Sequence, residues 1–214
     1  MMFRDRKDAG RRLAAALGHL RAARPVVLAL PRGGVPVAAE VAQALDAPLD
    51  LALVRKIGAP DDPEFAVGAV ADGPEPVVVR NAAMLARFGV SEVAFAAAAA
   101  REIAELDRRR ALYLRGRHRI ALTGRTVIVV DDGIATGATV TAALRAIRAQ
   151  QPKWLVLAAP VAAGEAVELV RDEADEVVVL ETPADFGAVG LFYEDFAQLD
   201  DGAVVAALAE SPAV

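Results

Sequence analysis

Apolar positions in this chain follow two alternating rhythms. Short runs of aliphatic and β-branched residues give way to stretches where apolar residues recur every three to four positions. The first rhythm predicts buried strands and the second helices packed on one face. Residues 5–22 predict an amphipathic helix with Leu13, Leu17 and Leu20 aligned. A strand is expected at 25–30, a helix at 36–45 and the next strand at 49–55. Segments 66–71 and 77–80 predict a β-hairpin joined through Asp72-Gly73-Pro74, and a long helical region runs from about 91 to 115. Strands at 126–130, 154–159 and 176–180 then alternate with helices at 139–150 and 164–172. An aromatic segment at 186–196 and a short helix at 201–209 complete the pattern. Strand–helix alternation of this kind specifies an α/β fold, a mainly parallel β-sheet flanked by helices. With no internal repeat and no linker rich in Gly, Ser or Pro, residues 1–214 are expected to form a single domain, its core at about 25–180.

The chemistry is densest in Val127-Ile128-Val129-Val130-Asp131-Asp132-Gly133-Ile134-Ala135-Thr136-Gly137-Ala138-Thr139. A buried strand ends on two acids, and a small, hydroxyl-bearing loop leads into a helix. In open parallel sheets ligands bind beyond the carboxyl ends of strands, where a helix N-terminus can meet an anion. Gly133 and Gly137 let the backbone come close to a ligand. The hydroxyls of Thr136 and Thr139, with loop N–H groups, can surround a phosphate monoester. The two carboxylates suit hydrogen bonds from vicinal sugar hydroxyls beside a divalent cation. Together these describe a ribose 5-phosphate site.

The run resembles the binding motif for phosphoribosyl pyrophosphate (PRPP) in the type I phosphoribosyltransferases: a hydrophobic strand, two acids, two variable residues, then small-Thr-Gly-x-Thr. Every slot is matched. Receiver domains also carry Val-Val-Asp-Asp, but near their start and without Thr-Gly-x-Thr. A generic strand and turn accounts for the hydrophobics and not for the loop. The resemblance covers about residues 25–180 and is nearest to the family's uncharacterised bacterial members. It implies displacement at C1 of PRPP with loss of pyrophosphate. Asp131 and Asp132 would be the catalytic pair, holding the diol and meeting Mg²⁺ indirectly, through water and ribose. Ile134, Ala135, Thr136, Gly137, Ala138 and Thr139 would anchor the 5′-phosphate.

A second loop, Leu30-Pro31-Arg32-Gly33-Gly34-Val35-Pro36, also lies between a strand and a helix. Two glycines and a permanent cation suit a pyrophosphate. In the family this loop often contains a non-proline cis peptide, expected here at Arg32–Gly33. Arg32, Gly33 and Gly34, joined by Lys56 (with Arg55) at the end of the following strand, are the expected pyrophosphate ligands. Seven arginines, at 101, 108, 109, 110, 115, 117 and 119, stand with His118 against three acids between residues 101 and 119. This is either a solvated helix face or the family's mobile loop over the pyrophosphate. The aromatic tail resembles the hood that covers the acceptor, with Phe192 or Tyr193 placed to stack on it or to pack against the sheet.

Two departures bear on the acceptor. Family members acting on 6-oxopurines carry an acid where Ala135 stands and a lysine after the next strand, where residues 158–164 have none. A 6-oxopurine is therefore disfavoured. The expected partners are PRPP and a small nitrogen heterocycle, in the manner of nucleotide salvage, and a homodimer is the family expectation. A non-catalytic PRPP-binding regulator is the alternative, and it would be expected to carry a nucleic-acid-binding module or a broad basic surface.

Composition narrows the setting. The net charge of −5 and pI near 5.2 argue against broad nucleic-acid binding. Cysteine is absent, which removes disulfides and thiolate metal sites. The apolar stretches at 93–100 and 154–163 are shorter than the ~18–20 residues that span a bilayer. The first residues show no apolar signal core. A soluble cytoplasmic protein is expected.

Overall fold

The computed structural model describes residues 2–59, 65–73, 75–114 and 120–210. Helix α1 (Arg6–Ala16) leads through a 3₁₀ segment, Gly18–Ala23, to strand β1 (Val26–Ala29) and helix α2 (Gly34–Leu45). Strands β2 (Leu49–Leu51), β3 (Val54–Gly58), β4 (Ala66–Ala71) and β5 (Val77–Arg80) precede helices α3 (Ala82–Arg87) and α4 (Glu92–Tyr113). Then follow β6 (Thr126–Val130), α5 (Ala138–Arg148), β7 (Trp154–Val161), α6 (Gly164–Val170), β8 (Glu176–Glu181) and α7 (Asp201–Ala209).

Five strands make a parallel sheet in the order β2-β1-β6-β7-β8. Every residue of β1 and β6 is buried, as a sheet covered on both faces requires. The two-residue alternation of a strand sends Val27, Ala29, Ile128, Val130, Val156 and Ala158 to one face, with residues of α1, α2 and α7. Val26, Leu28, Val127, Val129, Leu155 and Leu157 go to the other, with residues of α5 and α6. Among the described residues, no helix is long and apolar enough to cross a membrane.

The expected strand at 49–55 is corrected to two. Ala52 still donates its N–H to Ala29, at the end of β2. The Leu53 carbonyl then accepts from Asp72, and β3 joins β4 and β5 in a separate antiparallel sheet. The hairpin is formed as expected, with Ala71 opposite Val77, and Pro74 of its turn lies outside the described residues. The expected first helix is shortened, ending at Ala16 before the 3₁₀ segment.

Candidate functional site

β1 and β6 pair in register from Val26 and Val127 to Ala29 and Val130, so their carboxyl ends are neighbours. The chain winds outward from β1 to β2 and then returns on the other side of β1 as β6. Loops diverge at such a reversal and leave a crevice. Residues 30–33 and 131–137 enter it.

In the first loop, Leu30 donates its N–H to Val130 O at 2.9 Å, and Gly34 donates to Leu30 O at 3.0 Å. The cis peptide is Pro31–Arg32, one residue before the expected bond. Arg32 O already accepts from Val35 N–H at 3.2 Å, and Gly33 has helical φ −61° and ψ −40°. The Arg32–Gly33 peptide therefore belongs to the first turn of α2. Arg32 is exposed. A Cβ on Gly33 would stand 2.1 Å from Asp132 Oδ2, and one on Gly34 would stand 2.6 Å from Val130 O. Only residues without side chains let the two loops meet this closely.

In the second loop, Asp132 donates its N–H to Asp131 Oδ1 at 2.9 Å. Burial, and then the charge of Asp132, push the Asp131 carboxyl well above its usual range, while Arg6 pulls the other way. Arg6 Nε donates to Asp132 Oδ2 at 2.8 Å, and these side chains are only 11% and 13% exposed. The Tyr193 hydroxyl donates to Asp132 O at 2.6 Å. Two adjacent acids thus face a single guanidinium, a donor set with room for further positive charge. Among the described residues no three His, Cys, Asp or Glu side chains converge to hold a metal ion. A divalent cation here would take its remaining oxygens from ligand and water, the usual habit of Mg²⁺.

Ile134 anchors the base of the loop at 134–139. Its side chain is buried, its N–H donates to Val161 O at 2.9 Å, and its carbonyl accepts from Ala163 N–H at 2.9 Å. Beyond this anchor Gly137 is buried against Leu169 and Ala166, and its neighbours turn outward. Ala135, Thr136 and Thr139 are exposed. Gly137 adopts φ +73°, which favours glycine, and begins α5 without a side-chain cap. The first N–H groups of that helix thus have no side-chain cap, the setting in which a helix start can receive an anion.

The remaining expected residues stand on β3, α4 and beyond. Lys56 sits in the middle of β3, opposite Ala69, and not at the end of a central strand. Among the described residues it makes no ion pair, while Arg55 pairs with Glu102. In α4, Arg108 and Arg109 both bind Glu105, at 2.7 and 3.0 Å, and Arg110 approaches Asp72 at 3.7 Å. Arg115, Arg117, His118 and Arg119 lie outside the described residues, as does Pro60 beyond the Arg55–Lys56 strand. Tyr113, at the end of α4, donates to Asp201 Oδ1 at 2.5 Å.

The aromatic segment folds back over the crevice. Tyr193 is buried, with ring centroids 5.4 Å from Phe3 and 5.0 Å from Phe196. Burial, then the charge of Asp132, raise its phenol above the usual range, which keeps it a hydrogen-bond donor. Tyr193 is thus a strut for the acidic loop. Phe192 remains partly exposed, 5.5 Å from Phe186. Val189 covers Gly133, where a Cβ would meet its Cγ1 at 2.4 Å.

Three contributions escape the sequence pattern: Arg6 on Asp132, Tyr193 as a donor to the loop, and Val189 over Gly133. Each arrives from a distant part of the chain. The one available signal was the aromatic enrichment of 186–196, which marks a packed segment without saying what it touches.

Residues 4–196 match the family model described as "Phosphoribosyl transferase domain". Two Mycobacterium tuberculosis proteins, from strains CDC 1551 and H37Rv, each carry the name "Putative phosphoribosyl transferase". Each is 48% identical over 207 residues, covering 97% of this chain and 46% of its own length. This chain therefore spans about half the length of those curated relatives. A crystal structure from Thermus thermophilus is similar at TM-score 0.90 and 48% identity, over 99% of both chains. The matched span contains the parallel sheet, both crevice loops and the aromatic segment to Phe196, and this chain belongs to the phosphoribosyl transferase domain family.

Proposed function

We propose that this protein transfers the 5-phosphoribosyl group of PRPP to a nitrogen acceptor, a nucleobase or similar heterocycle, with release of pyrophosphate. The observation that carries this reading is the meeting of three different subsites at one sheet reversal. They are the acid pair Asp131–Asp132, the uncapped start of α5 and the Arg32-Gly33-Gly34 loop. Each suits one part of the same molecule: ribose diol, 5′-phosphate and pyrophosphate.

Residues 135–139 would hold the 5′-phosphate through backbone N–H groups and the hydroxyls of Thr136 and Thr139. This remote grip positions C1 for attack. Arg32 and the adjoining glycines would receive the pyrophosphate. The C1–O bond breaks with its electron pair on pyrophosphate, the acceptor nitrogen's lone pair forms C1–N, and the nitrogen's surplus proton passes to water. Asp131 and Asp132 accept hydrogen bonds from the diol and stabilise positive charge growing on the ribose. Through water and ribose oxygens the same acids would hold Mg²⁺, which supplies charge neutralisation for the leaving group.

Phe192, the partly exposed ring of the hood, is the better placed of the two aromatics to cover the acceptor. Ala135 and the lysine-free stretch at 158–164 disfavour a 6-oxopurine. The pairing of Arg108 and Arg109 with Glu105 supports the enzyme over a nucleic-acid-binding regulator, since it consumes part of the basic cluster. We carry a cytoplasmic setting and a homodimer with this reading.

Isothermal titration with PRPP tests it. Wild-type protein is expected to bind in a Mg²⁺-dependent manner. The double variant Asp131→Asn, Asp132→Asn is expected to lose that binding while remaining folded, because the two side chains stand at a strand end and not in the apolar core; a melt of the same sample checks the fold. Equal PRPP affinity in the double variant would sink the assignment.

A further inference from the structure

Arg6 opens α1, yet its guanidinium ends in the crevice 126 residues away in sequence. Three contacts hold it there. Nε donates to Asp132 Oδ2 at 2.8 Å, Nη1 donates to Ala197 O at 2.9 Å, and Cζ lies 3.9 Å from the centre of the Phe196 ring. A guanidinium over an aromatic face and on a carboxylate is held in position and orientation as well as in charge.

The start of the chain is itself tied down. Phe3 N–H donates to Phe192 O and Phe3 O accepts from Glu194 N–H, both at 2.8 Å, while Arg4 O accepts from Asp195 N–H at 2.9 Å. Asp5 caps α1 by accepting from Asp8 N–H at 2.7 Å. Residues 3–6 and 192–197 therefore form one unit that reaches Asp132 twice, through Arg6 on its carboxylate and Tyr193 on its carbonyl.

We propose that Arg6 is a positioning residue of the donor site, an internal cation that fixes the Asp132 carboxylate for the ribose diol; this rests on the reading above. A carboxylate offers about four lone-pair directions. Arg6 takes one on Oδ2 and leaves others for the ligand. It also offsets one of two adjacent negative charges, so the acid pair keeps its geometry before the donor arrives. The aromatic hood is thereby part of the donor site as well as the cover for an acceptor.

The test is titration with PRPP and Mg²⁺ of wild type, Arg6→Ala, Arg6→Lys and Phe196→Leu, each checked by thermal melting. Arg6→Ala is expected to weaken PRPP binding about tenfold, as loss of a charge-assisted hydrogen bond implies. Arg6→Lys is expected to recover part of the loss, and Phe196→Leu to weaken binding by a smaller factor in the same direction. Dilute guanidinium, well below denaturing concentration, is expected to restore binding to Arg6→Ala where equal urea does not. A purely structural role would not produce that rescue. Unaltered or tighter binding by Arg6→Ala, or loss without rescue, would overturn the role of Arg6. If Arg6→Ala does not fold, unchanged affinity in both Arg6→Lys and Phe196→Leu would overturn it equally. Absence of PRPP binding by wild type would instead remove the donor-site reading and this role with it.

Discussion

At Gly33 the backbone occupies ordinary right-handed helical space, with φ −61° and ψ −40°. Any residue can adopt that conformation, so the backbone does not require glycine here. The requirement comes from across the crevice, where an added Cβ would meet Asp132 Oδ2 at 2.1 Å. Gly33→Ala should therefore separate folding from binding. We expect the protein to stay folded with a modestly lower thermal midpoint, since the right-handed backbone at this N-cap admits alanine although glycine is preferred there. PRPP affinity should fall about tenfold or more, a loss of ~1.4 kcal/mol or greater, as Asp132 turns away from its bond with Arg6. Melting and titration of the one variant check both halves. A matched fall in midpoint and affinity would instead place the effect in general destabilisation.

Between elements, the orientation of α1 decides whether Arg6 reaches its target. α1 crosses α2 at Gly10, where a Cβ would stand 2.7 Å from Val37 O and 2.9 Å from the Glu40 Cβ. In an exposed helix Gly→Ala adds about 1 kcal/mol of stability. Here the clash is with backbone, which cannot rotate aside, and overpacking typically costs about 1–3 kcal/mol. Gly10→Ala is thus expected to lower the thermal midpoint by several degrees and to weaken PRPP binding as α1 shifts. A calorimetric scan showing a higher midpoint would mean that the two helices can separate freely.

The same element scale shows what the sequence made legible. Val127–Val130 and the loop after them could be read because burial on both faces leaves an unbroken apolar run, and the chemistry follows it without a gap. The break between β2 and β3 could not. Residues 49–54, Leu-Asp-Leu-Ala-Leu-Val, contain no Gly or Pro, and the change of sheet is made by the Leu53 carbonyl turning to Asp72. The cis bond stands one residue before the one the family resemblance implies, and α2 takes Gly33 and Gly34 into its first turn. Lys56 stands within a strand and not at its end for the same reason as β2 and β3 are separate, since the chain has already left the parallel sheet.

For the molecule as a whole, binding at the crevice should couple to global stability, because the loops involved grow from β1 and β6 in the middle of the sheet. A ligand at one hundred times its Kd adds about 2.7 kcal/mol to the folded state. For a domain of this size that corresponds to a rise of roughly 5–10 °C in midpoint. PRPP with Mg²⁺ is expected to produce such a shift, and PRPP with a chelator a much smaller one. Differential scanning fluorimetry reads both, and equal shifts in the two conditions would argue against a role for the cation. At this scale sequence reading was weakest, for the site draws on residues that only the folded chain assembles.

The clamp on Asp132 also sets a schedule for the protein's birth. Arg6 precedes Asp132 by 126 residues, and Tyr193 follows it by 61. At roughly 5–20 residues per second, a ribosome needs about 3–12 s between completing the acid pair and completing the tyrosine that braces it. Until then Asp132 lacks both Tyr193 and the Phe196 ring and Ala197 carbonyl that hold Arg6 in place. The acid pair is therefore braced only after residues 193–197 have been made and have closed on residues 3–6.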